Sequence, residues 1–569
     1  MINDRQYLPK QDFKVRRQEA SRLRDYINDE AVDDFIVTPP RTNRDEARFE
    51  RFNLPGFASF TKALAHNRQG LVETSSFDSL LAAIELGTQR AFEGVQLGGG
   101  VRLLANPLNA YSFQVIGNDS NGARMAAAPE FASRNTAIDM VERYWMALSR
   151  DIRFEDYGKS PLIADACEDL NNLRFKQEFG FECSPETIFR GPYKGCDVGP
   201  HVSQFLLQDF GFGNQPIQQL QPYPVENLDY LSDLDTWNKV NNGNEDPTGT
   251  DRFAEENGKR LTRRIITLRD AGQWVHIDPP FQSGLWATLI LSGLEKINKV
   301  NIANASPYAN GEITTSSPLG SLGEPDIAIH SGLAAVYALK HAWFQKWCVH
   351  RRLRPEVYAQ RLELFRRGLL GNSAEKPFED EFKIIFGEGA DVWRETKVLD
   401  RIFQHNQQQN QANNRSDREG TWLLPIAYPE GSPTHPSYPG GHSAFIAAAA
   451  TVAKAFFADA PFPNPVEPTT DGQGLKAYTG ETLTVHGELN KLIANITLFR
   501  DGAGMHYRTD GTASGPNAAA DRPGIGIRTG GNLLGEDMAI SLLRDLKRTY
   551  REDVKPFEFR GIGGDWIRI

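Results

Sequence analysis

Residues 435–457 read HPSYPGGHSAFIAAAATVAKAFF, a turn rich in proline and glycine followed by an apolar run. Only Lys454 interrupts that run, so we predict a buried helix over Ala444–Phe457, directly after the turn. The first turn of a helix has unpaired N–H groups and the positive end of the helix dipole, which together favour a bound anion. The same dipole disfavours protonation of His442, whose imidazole is then available as an acid–base group near neutral pH. Taken alone, a plain turn with two incidental histidines is the simpler interpretation.

Helical spacing of apolar residues recurs along the chain, at Thr136–Arg153, Gln282–Lys296 and Ser331–Arg351. Strand runs bounded by hairpin turns are scarce. We therefore predict an all-α, mainly helical fold with minor short strands. The polar stretches Asn238–Arg260 and Gln404–Arg418 are expected to be exposed loops.

The composition is that of an ordinary globular protein, with 40% hydrophobic and 24% charged residues among 569. A net charge of −10 argues against general binding to nucleic acid. The apolar runs are too short to predict a membrane span, and the N-terminus shows no signal peptide, so a cytoplasmic location is the default expectation. A disulfide between Cys183 and Cys196 stays open, although buried free thiols are favoured.

A basic segment, KWCVHRRLRP at 346–355, follows an apolar stretch that contains Trp343. Because proline pushes the preceding residue out of the α region, we expect a helix to end at Pro355 with Arg354 at its exit. Lys346 and Arg354 would then lie about 80° apart around the helix and about 12 Å along it, where long side chains can converge. On its own, this segment is more simply a solvated basic helix end.

A third segment, LFRDGAGMHYRTD at 498–510, follows another apolar helical pattern. Arg500 and His506 flank two glycines, and Asp510 lies one helical turn after His506, where its carboxylate can orient the imidazole. This arrangement is expected for a histidine whose other nitrogen binds a metal. Taken singly, a histidine with an aspartate four residues later is more often a surface pair.

Together the three segments offer cations, backbone donors and histidines without an acidic cluster. Lys346, Arg354 and Arg500 would repel a bare divalent cation, but they suit a tetrahedral oxoanion within reach of an imidazole. Phosphate and vanadate both meet that description. The residues therefore leave open an acid phosphatase that acts through a phosphohistidine and an enzyme with a permanent vanadate cofactor. A structural or binding protein with an inactive site is a third alternative.

At these residues the sequence resembles the vanadium-dependent haloperoxidases, above all the bromoperoxidases of red algae and cyanobacteria. The resemblance includes further stretches such as Gln273–His276 and covers most of the chain from about residue 50. The related acid phosphatases share the broad pattern. The eight-residue step from Lys346 to Arg354, and His435 seven residues before His442, favour the bromoperoxidases.

The resemblance implies the fold of the vanadium chloroperoxidase and acid phosphatase superfamily, in which two four-helix bundles form the core. It implies one helical domain over residues 61–569, with the vanadate site within 331–515. Residues 1–60, which include Pro39 and Pro40, are predicted to be an N-terminal arm for oligomerisation. The implied assembly is a homodimer or a dodecamer.

The resemblance also implies a role for each site residue. His506 coordinates the vanadium, and the Asp510 carboxylate orients its imidazole. His442 is the acid–base group for hydrogen peroxide. His435 and Trp343 tune the halide site. Peroxide then oxidises bromide or iodide through Lewis-acid activation, and the hypohalous acid halogenates an organic acceptor. The groups expected to hold the vanadate oxygens are Lys346, Arg354, Gly440, Gly441 and Arg500.

Two residues depart from the family pattern. Gly440 stands where a serine usually precedes the glycine–histidine pair, so water or Ser443 is a candidate to supply the missing hydroxyl. Trp343 replaces the cation that red-algal relatives tend to carry, which predicts some chloride oxidation beside that of bromide and iodide. A weaker implication is calcium binding at Tyr308–Ser317.

Overall fold

The structure, a computed structural model, describes residues 13–33, 42–120, 125–244, 252–370, 378–512 and 530–569. Most of its regular structure is helical, in agreement with the apolar spacing. The helices are α1 Phe13–Asp33, α2 Asp45–Glu50, α3 Thr74–Leu86, α4 Gln89–Phe92, α5 Arg134–Leu148, α6 Pro161–Asn172, α7 Phe175–Phe179, α8 Leu234–Asn241, α9 Leu268–Trp274, α10 Gln282–Lys296, α11 Glu324–Phe344, α12 Pro355–Arg366, α13 Phe378–Phe386, α14 Gly389–Glu395, α15 Val398–Ala412, α16 Gly441–Phe456, α17 Val485–Gly502, α18 Arg508–Gly511 and α19 Gly530–Thr549.

The strands are short and pair only two at a time within the described residues. The antiparallel pairs are β1–β2, β3–β6, β4–β5, β7–β8 and β9–β10. The prediction of a mainly helical fold with minor strands is thus confirmed. The strands are β1 Phe210–Phe212, β2 Gln215–Ile217, β3 Gln221–Pro222, β4 Glu255–Glu256, β5 Lys259–Arg260, β6 Thr262–Arg263, β7 Val466–Pro468, β8 Leu475–Ala477, β9 Glu558–Arg560 and β10 Trp566–Arg568.

Two groups of packed helices share α17. In one group α16 packs against α10, α11, α17 and α19, and in the other α5 packs against α6, α12, α14, α15 and α17. Helix α19 contacts α16 closely at Gly535, where an added Cβ would lie 2.0 Å from the carbonyl oxygen of Ala444. This arrangement agrees with the predicted two-bundle fold and places the start of α16 beside α11 and the end of α17.

The predicted helix end at Pro355 is wrong. A π-helical segment, Gln345–His350, continues α11 and stops at Arg351, whose φ of 42° is left-handed. Pro355 instead begins α12, with Arg354 extended at its N-cap, because proline is well suited to the first helical position. Lys346 and Arg354 therefore do not share a helix, and the angle and rise expected between them do not apply.

The predicted polar loops are partly helical. Most of Gln404–Arg418 belongs to α15, in which Asn406 donates hydrogen bonds to the carbonyls of Thr421 and Leu423 and is fully buried. The stretch Asn238–Arg260 begins inside α8 and ends in the β4–β5 hairpin, while residues 245–251 lie outside the described residues. A polar sequence can therefore form a buried helix when its side-chain amides have hydrogen-bond partners.

The N-terminal segment includes two helices among its described residues. Phe49 of α2 and Phe57 are buried, and the ring centroid of Phe49 lies 5.4 Å from that of Phe131, so residues 45–60 pack on the helical body. Pro39 and Pro40 fall outside the described residues, as do residues 513–515 of the predicted site range. All four cysteines are free thiols, and no described helix has both the length and the apolar character needed to cross a membrane.

Candidate active site

Asp510 joins the three segments that the sequence singles out. Its carboxylate accepts hydrogen bonds from His506 Nδ1 at 2.9 Å, from Arg352 Nη1 at 2.8 Å and from Ser437 Oγ. Its main-chain oxygen accepts one from the N–H of Gly440 at 2.8 Å. One buried residue thus holds the histidine loop, the basic segment and the glycine turn together.

The environment of His506 keeps its imidazole neutral. Burial and the nearby Arg354 guanidinium hold the pKa of His506 well below its usual value. Burial raises the pKa of Asp510, but Arg352 and the hydrogen bond from His506 outweigh it and keep that pKa low. Because Nδ1 donates to Asp510, Nε2 carries the lone pair, and it lies 3.0 Å from Arg354 Nη1. A neutral imidazole oriented in this way has the form in which histidine binds metals.

Three buried cations lie near one another, and two of them, Lys346 and Arg354, act on this histidine. Lys346 and Arg354 are fully buried and Arg500 is 5% exposed, and among the described residues none of them has a carboxylate within ion-pair distance. Lys346 Nζ donates to the carbonyls of Pro436 and Ser437 at 2.6 and 2.7 Å. Arg354 Nε donates to the carbonyl of His435 at 3.0 Å, so both cations converge on the same turn although no common helix brings them there.

These cations are poorly compensated inside the protein. Burial, reinforced by Arg354, holds the pKa of Lys346 well below its usual value, and burial with Arg500 lowers the pKa of Arg354 to about 9. Arg500 Nε is buried and has no hydrogen-bond partner among the described residues. A buried charge needs a partner, so this set fits an oxoanion such as vanadate.

The glycine turn places backbone N–H groups beside the cations. Gly440 is the N-cap of α16, which begins at Gly441, so the N–H groups of the first turn have no carbonyl acceptor within the helix. A Cβ on Gly441 would come within 3.2 Å of the Trp343 ring. A Cβ on Gly440 would come within 2.5 Å of Ser443 Oγ, so the Ser443 hydroxyl occupies space that a side chain at 440 would need.

His442 has a partner that the sequence reading missed. Its Nε2 lies 2.8 Å from Oδ1 of Asp278, a carboxylate with 2% exposure. Burial lowers the pKa of His442, Asp278 opposes this effect, and Arg500 adds to it, so that the pKa stays below its usual value. The neutral state predicted from the helix dipole thus has burial as its main cause.

His435 and Trp343 stand next to each other at the edge of the cation group. Their ring centroids are 4.6 Å apart, and His435 Nδ1 lies 2.9 Å from Arg354 Nη2. Burial and Lys346 hold the pKa of His435 well below its usual value, so it too is neutral. The two residues expected to tune the halide therefore adjoin the residues expected to hold vanadate.

Arg352, Ser437 and Asp278 are the site residues that sequence reasoning missed. The first two belong to segments already singled out, but the local sequence does not show that they contact Asp510. Asp278 follows Gln273–His276, a stretch that carries the resemblance, and this proximity was its one signal. In the predicted calcium loop Glu312 is paired with Lys555, and no cluster of three metal-binding side chains occurs in the described part of the chain.

Comparison with known proteins identifies the family. No family model matches the chain. The vanadium-dependent bromoperoxidase of Ascophyllum nodosum is 30% identical over 531 residues, which cover 90% of this chain and 86% of that protein. The chain belongs to the vanadium-dependent bromoperoxidases. Members of this family from Corallina pilulifera and Corallina officinalis are 29% and 28% identical, and each match covers 88% of the chain and 89% of the relative.

A solved bromoperoxidase structure supports the same assignment. The homohexameric second vanadate-dependent bromoperoxidase of Ascophyllum nodosum superposes with a TM-score of 0.82 at 25% identity. The match covers 99% of this chain and 92% of that chain. The family predicted from the sequence motifs is therefore confirmed, and so is its helical fold.

Proposed function

We propose that this bromoperoxidase oxidises bromide with hydrogen peroxide at a vanadate cofactor held by His506 and the three buried cations. The observation that carries the proposal is the burial of Lys346, Arg354 and Arg500 beside the neutral His506, with no carboxylate partner for them in the described part of the chain. The cations call for an oxoanion, and the Nε2 lone pair calls for a metal. Membership of the family favours vanadate over phosphate.

Each side chain has a distinct task in this proposal. Vanadate, when bound, supplies Lewis-acid activation of hydrogen peroxide toward attack by bromide. Lys346, Arg354 and Arg500 neutralise the oxoanion and draw charge from its oxygens, while the N–H of Gly441 donates a further hydrogen bond. Gly440 shapes the turn that presents that donor.

His442 is the proposed acid–base group. Asp278 accepts the hydrogen bond of His442 Nε2, which leaves Nδ1 as the nitrogen that takes a proton from incoming peroxide. The Asp278 carboxylate stabilises the imidazolium that forms. Because burial keeps the imidazole neutral before reaction, the base is ready at neutral pH.

The halide preference and the assembly are further parts of the proposal. We propose that bromide and iodide are the preferred halides, with some chloride oxidation, and that His435 and Trp343 at the edge of the site set this preference. The hypohalous acid that forms halogenates organic acceptors. The hexameric relative supports self-association of this chain, with a homodimer or dodecamer as the expected forms and residues 1–60 taking part.

Reconstitution of the apoprotein tests the function. We expect the vanadate-free protein to be inactive in a dye-bromination assay and to gain activity on addition of orthovanadate, because the cofactor provides the electrophilic centre. Phosphate should compete, since the same cations would hold it. Hydrolysis of phosphate esters by the apoprotein, with vanadate as an inhibitor, would instead establish the acid phosphatase alternative.

A variant of Arg352 tests whether the Arg352–Asp510 ion pair holds His506 in position. In Arg352→Met the Asp510 carboxylate loses its cation, so His506 is held less firmly, and vanadate affinity should fall about 10- to 100-fold. Vanadate dissociation constants from quenching of tryptophan fluorescence would measure this. Arg351→Met is the matched control, because Arg351 pairs with Glu46 and leaves Asp510 untouched. Equal affinity in the two variants would contradict the role of Arg352.

A further inference from the structure

The loop from Val275 to Asp278 contacts two groups of the active site. The carbonyl of Val275 accepts a hydrogen bond from Arg500 Nη1 at 2.8 Å, and the carboxylate of Asp278 lies 2.8 Å from His442 Nε2. Between them Ile277 is 75% exposed, so the loop itself lies at the surface. One surface loop therefore orients a cation proposed to hold vanadate and the proposed acid–base group.

His276 attaches this loop to the body of the protein. Its Nε2 lies 2.7 Å from Oε1 of Glu430, and its ring stacks on Tyr428 with centroids 3.8 Å apart and planes 5° from parallel. Tyr428 is fixed in turn, because its hydroxyl donates to the carbonyl of Gly272 at 2.6 Å. The guanidinium of Arg500 lies 5.7 Å from the centroid of the same tyrosine ring. His276 thus meets the loop, Tyr428 and Glu430 at one point.

The other side of this contact is rigid. The carbonyl of Glu430 accepts a hydrogen bond from Lys62 Nζ at 2.7 Å, and Lys62 pairs with Glu356 at 2.9 Å. Both members of that pair are at most 2% exposed, so their hydrogen-bonded geometry is costly to disturb. Glu430 is therefore a fixed anchor, and His276 transmits its position to the loop.

We propose that His276 is a positioning residue of the bromide-oxidising site. This inference rests on the proposed function. By stacking on Tyr428 and bonding Glu430, His276 holds the Val275 carbonyl where it orients Arg500 and the Asp278 carboxylate where it orients His442. His276 does not touch the reacting atoms. Without this attachment, the loop around the exposed Ile277 sets both contacts less well, and misplacement by about 1 Å costs catalysis heavily.

The test compares His276→Ala, His276→Gln and Glu430→Gln with the wild type. We expect His276→Ala to weaken vanadate binding about tenfold, through Arg500, and to lower kcat at saturating vanadate about 10- to 100-fold, through His442. The KM for bromide should change little. His276→Gln keeps a donor toward Glu430 and should recover part of both losses, and Glu430→Gln should show a smaller loss of the same kind.

His330→Ala is the matched control. His330 lies 2.9 Å from the carboxylate of Asp326 and is similarly exposed, but it lies near the start of α11, and within the described residues no hydrogen bond or ion pair joins it to the loop. Vanadate affinity and kcat are measured on protein shown to be folded by its thermal transition. Wild-type values in His276→Ala, or equal losses in His330→Ala, would overturn the positioning role. Absence of vanadate binding and bromination in the wild type would overturn the proposed function, and the role with it.

Discussion

Replacing His506 by alanine is expected to abolish detectable vanadate binding at micromolar vanadate, and bromide oxidation with it. His506 places a neutral imidazole next to the cations, and its hydrogen bond to the Asp510 carboxylate orients the ring. Loss of a partner behind a metal ligand costs about 10- to 100-fold in affinity, so loss of the ligand itself should cost on the order of a thousandfold or more. Titration with orthovanadate, followed by tryptophan fluorescence and by bromination of a dye, measures both effects.

His486→Ala is the control for this variant. His486 is also buried, and its Nε2 bonds to the carbonyl of Phe457 at 2.8 Å, at the opposite end of α17 from Arg500. It should keep vanadate affinity even where its thermal stability falls. Wild-type binding and activity in His506→Ala would instead support a protein that retains the fold without using the site.

The second large effect is expected in His442→Ala, which should bind vanadate but lose about 10²- to 10⁴-fold in bromide oxidation. The cations and His506 remain in this variant, whereas the proton acceptor for peroxide is gone. Measurements of vanadate affinity and of kcat separate the two properties. Loss of vanadate binding with unchanged chemistry in the protein that does bind would contradict the acid–base role.

The pH profile provides an internal check. A base must be neutral to act, so kcat should fall as the pH drops through the pKa of His442, and burial places that limb below the usual range of histidine. Asp278 raises this pKa, so the limb should move to still lower pH in Asp278→Asn and should disappear in His442→Ala. A limb at the same pH in Asp278→Asn would contradict the proposed effect of Asp278 on the pKa of His442.

The helices were predictable where their apolar pattern faces a core. The range Gln282–Lys296 matches α10 at both ends. The predicted helix Ala444–Phe457 corresponds to α16, which begins three residues earlier, at Gly441. The pattern failed where polar side chains are buried with partners, as in α15, since polarity alone predicts exposure there. It also failed at Pro355, because proline both ends helices and begins them, and only the path of the chain after Arg351 distinguishes the two.

The contacts of the candidate site were likewise predictable in part. Contacts made within one helical turn could be predicted from spacing, and the His506–Asp510 hydrogen bond is of this kind. The motifs also sufficed to identify the family and the type of anion. The partners of these residues across the fold could not be predicted from spacing, because Arg352 reaches Asp510 over 158 residues and Asp278 reaches His442 over 164. Such contacts depend on how helices pack, and packing brings together residues that no local pattern relates.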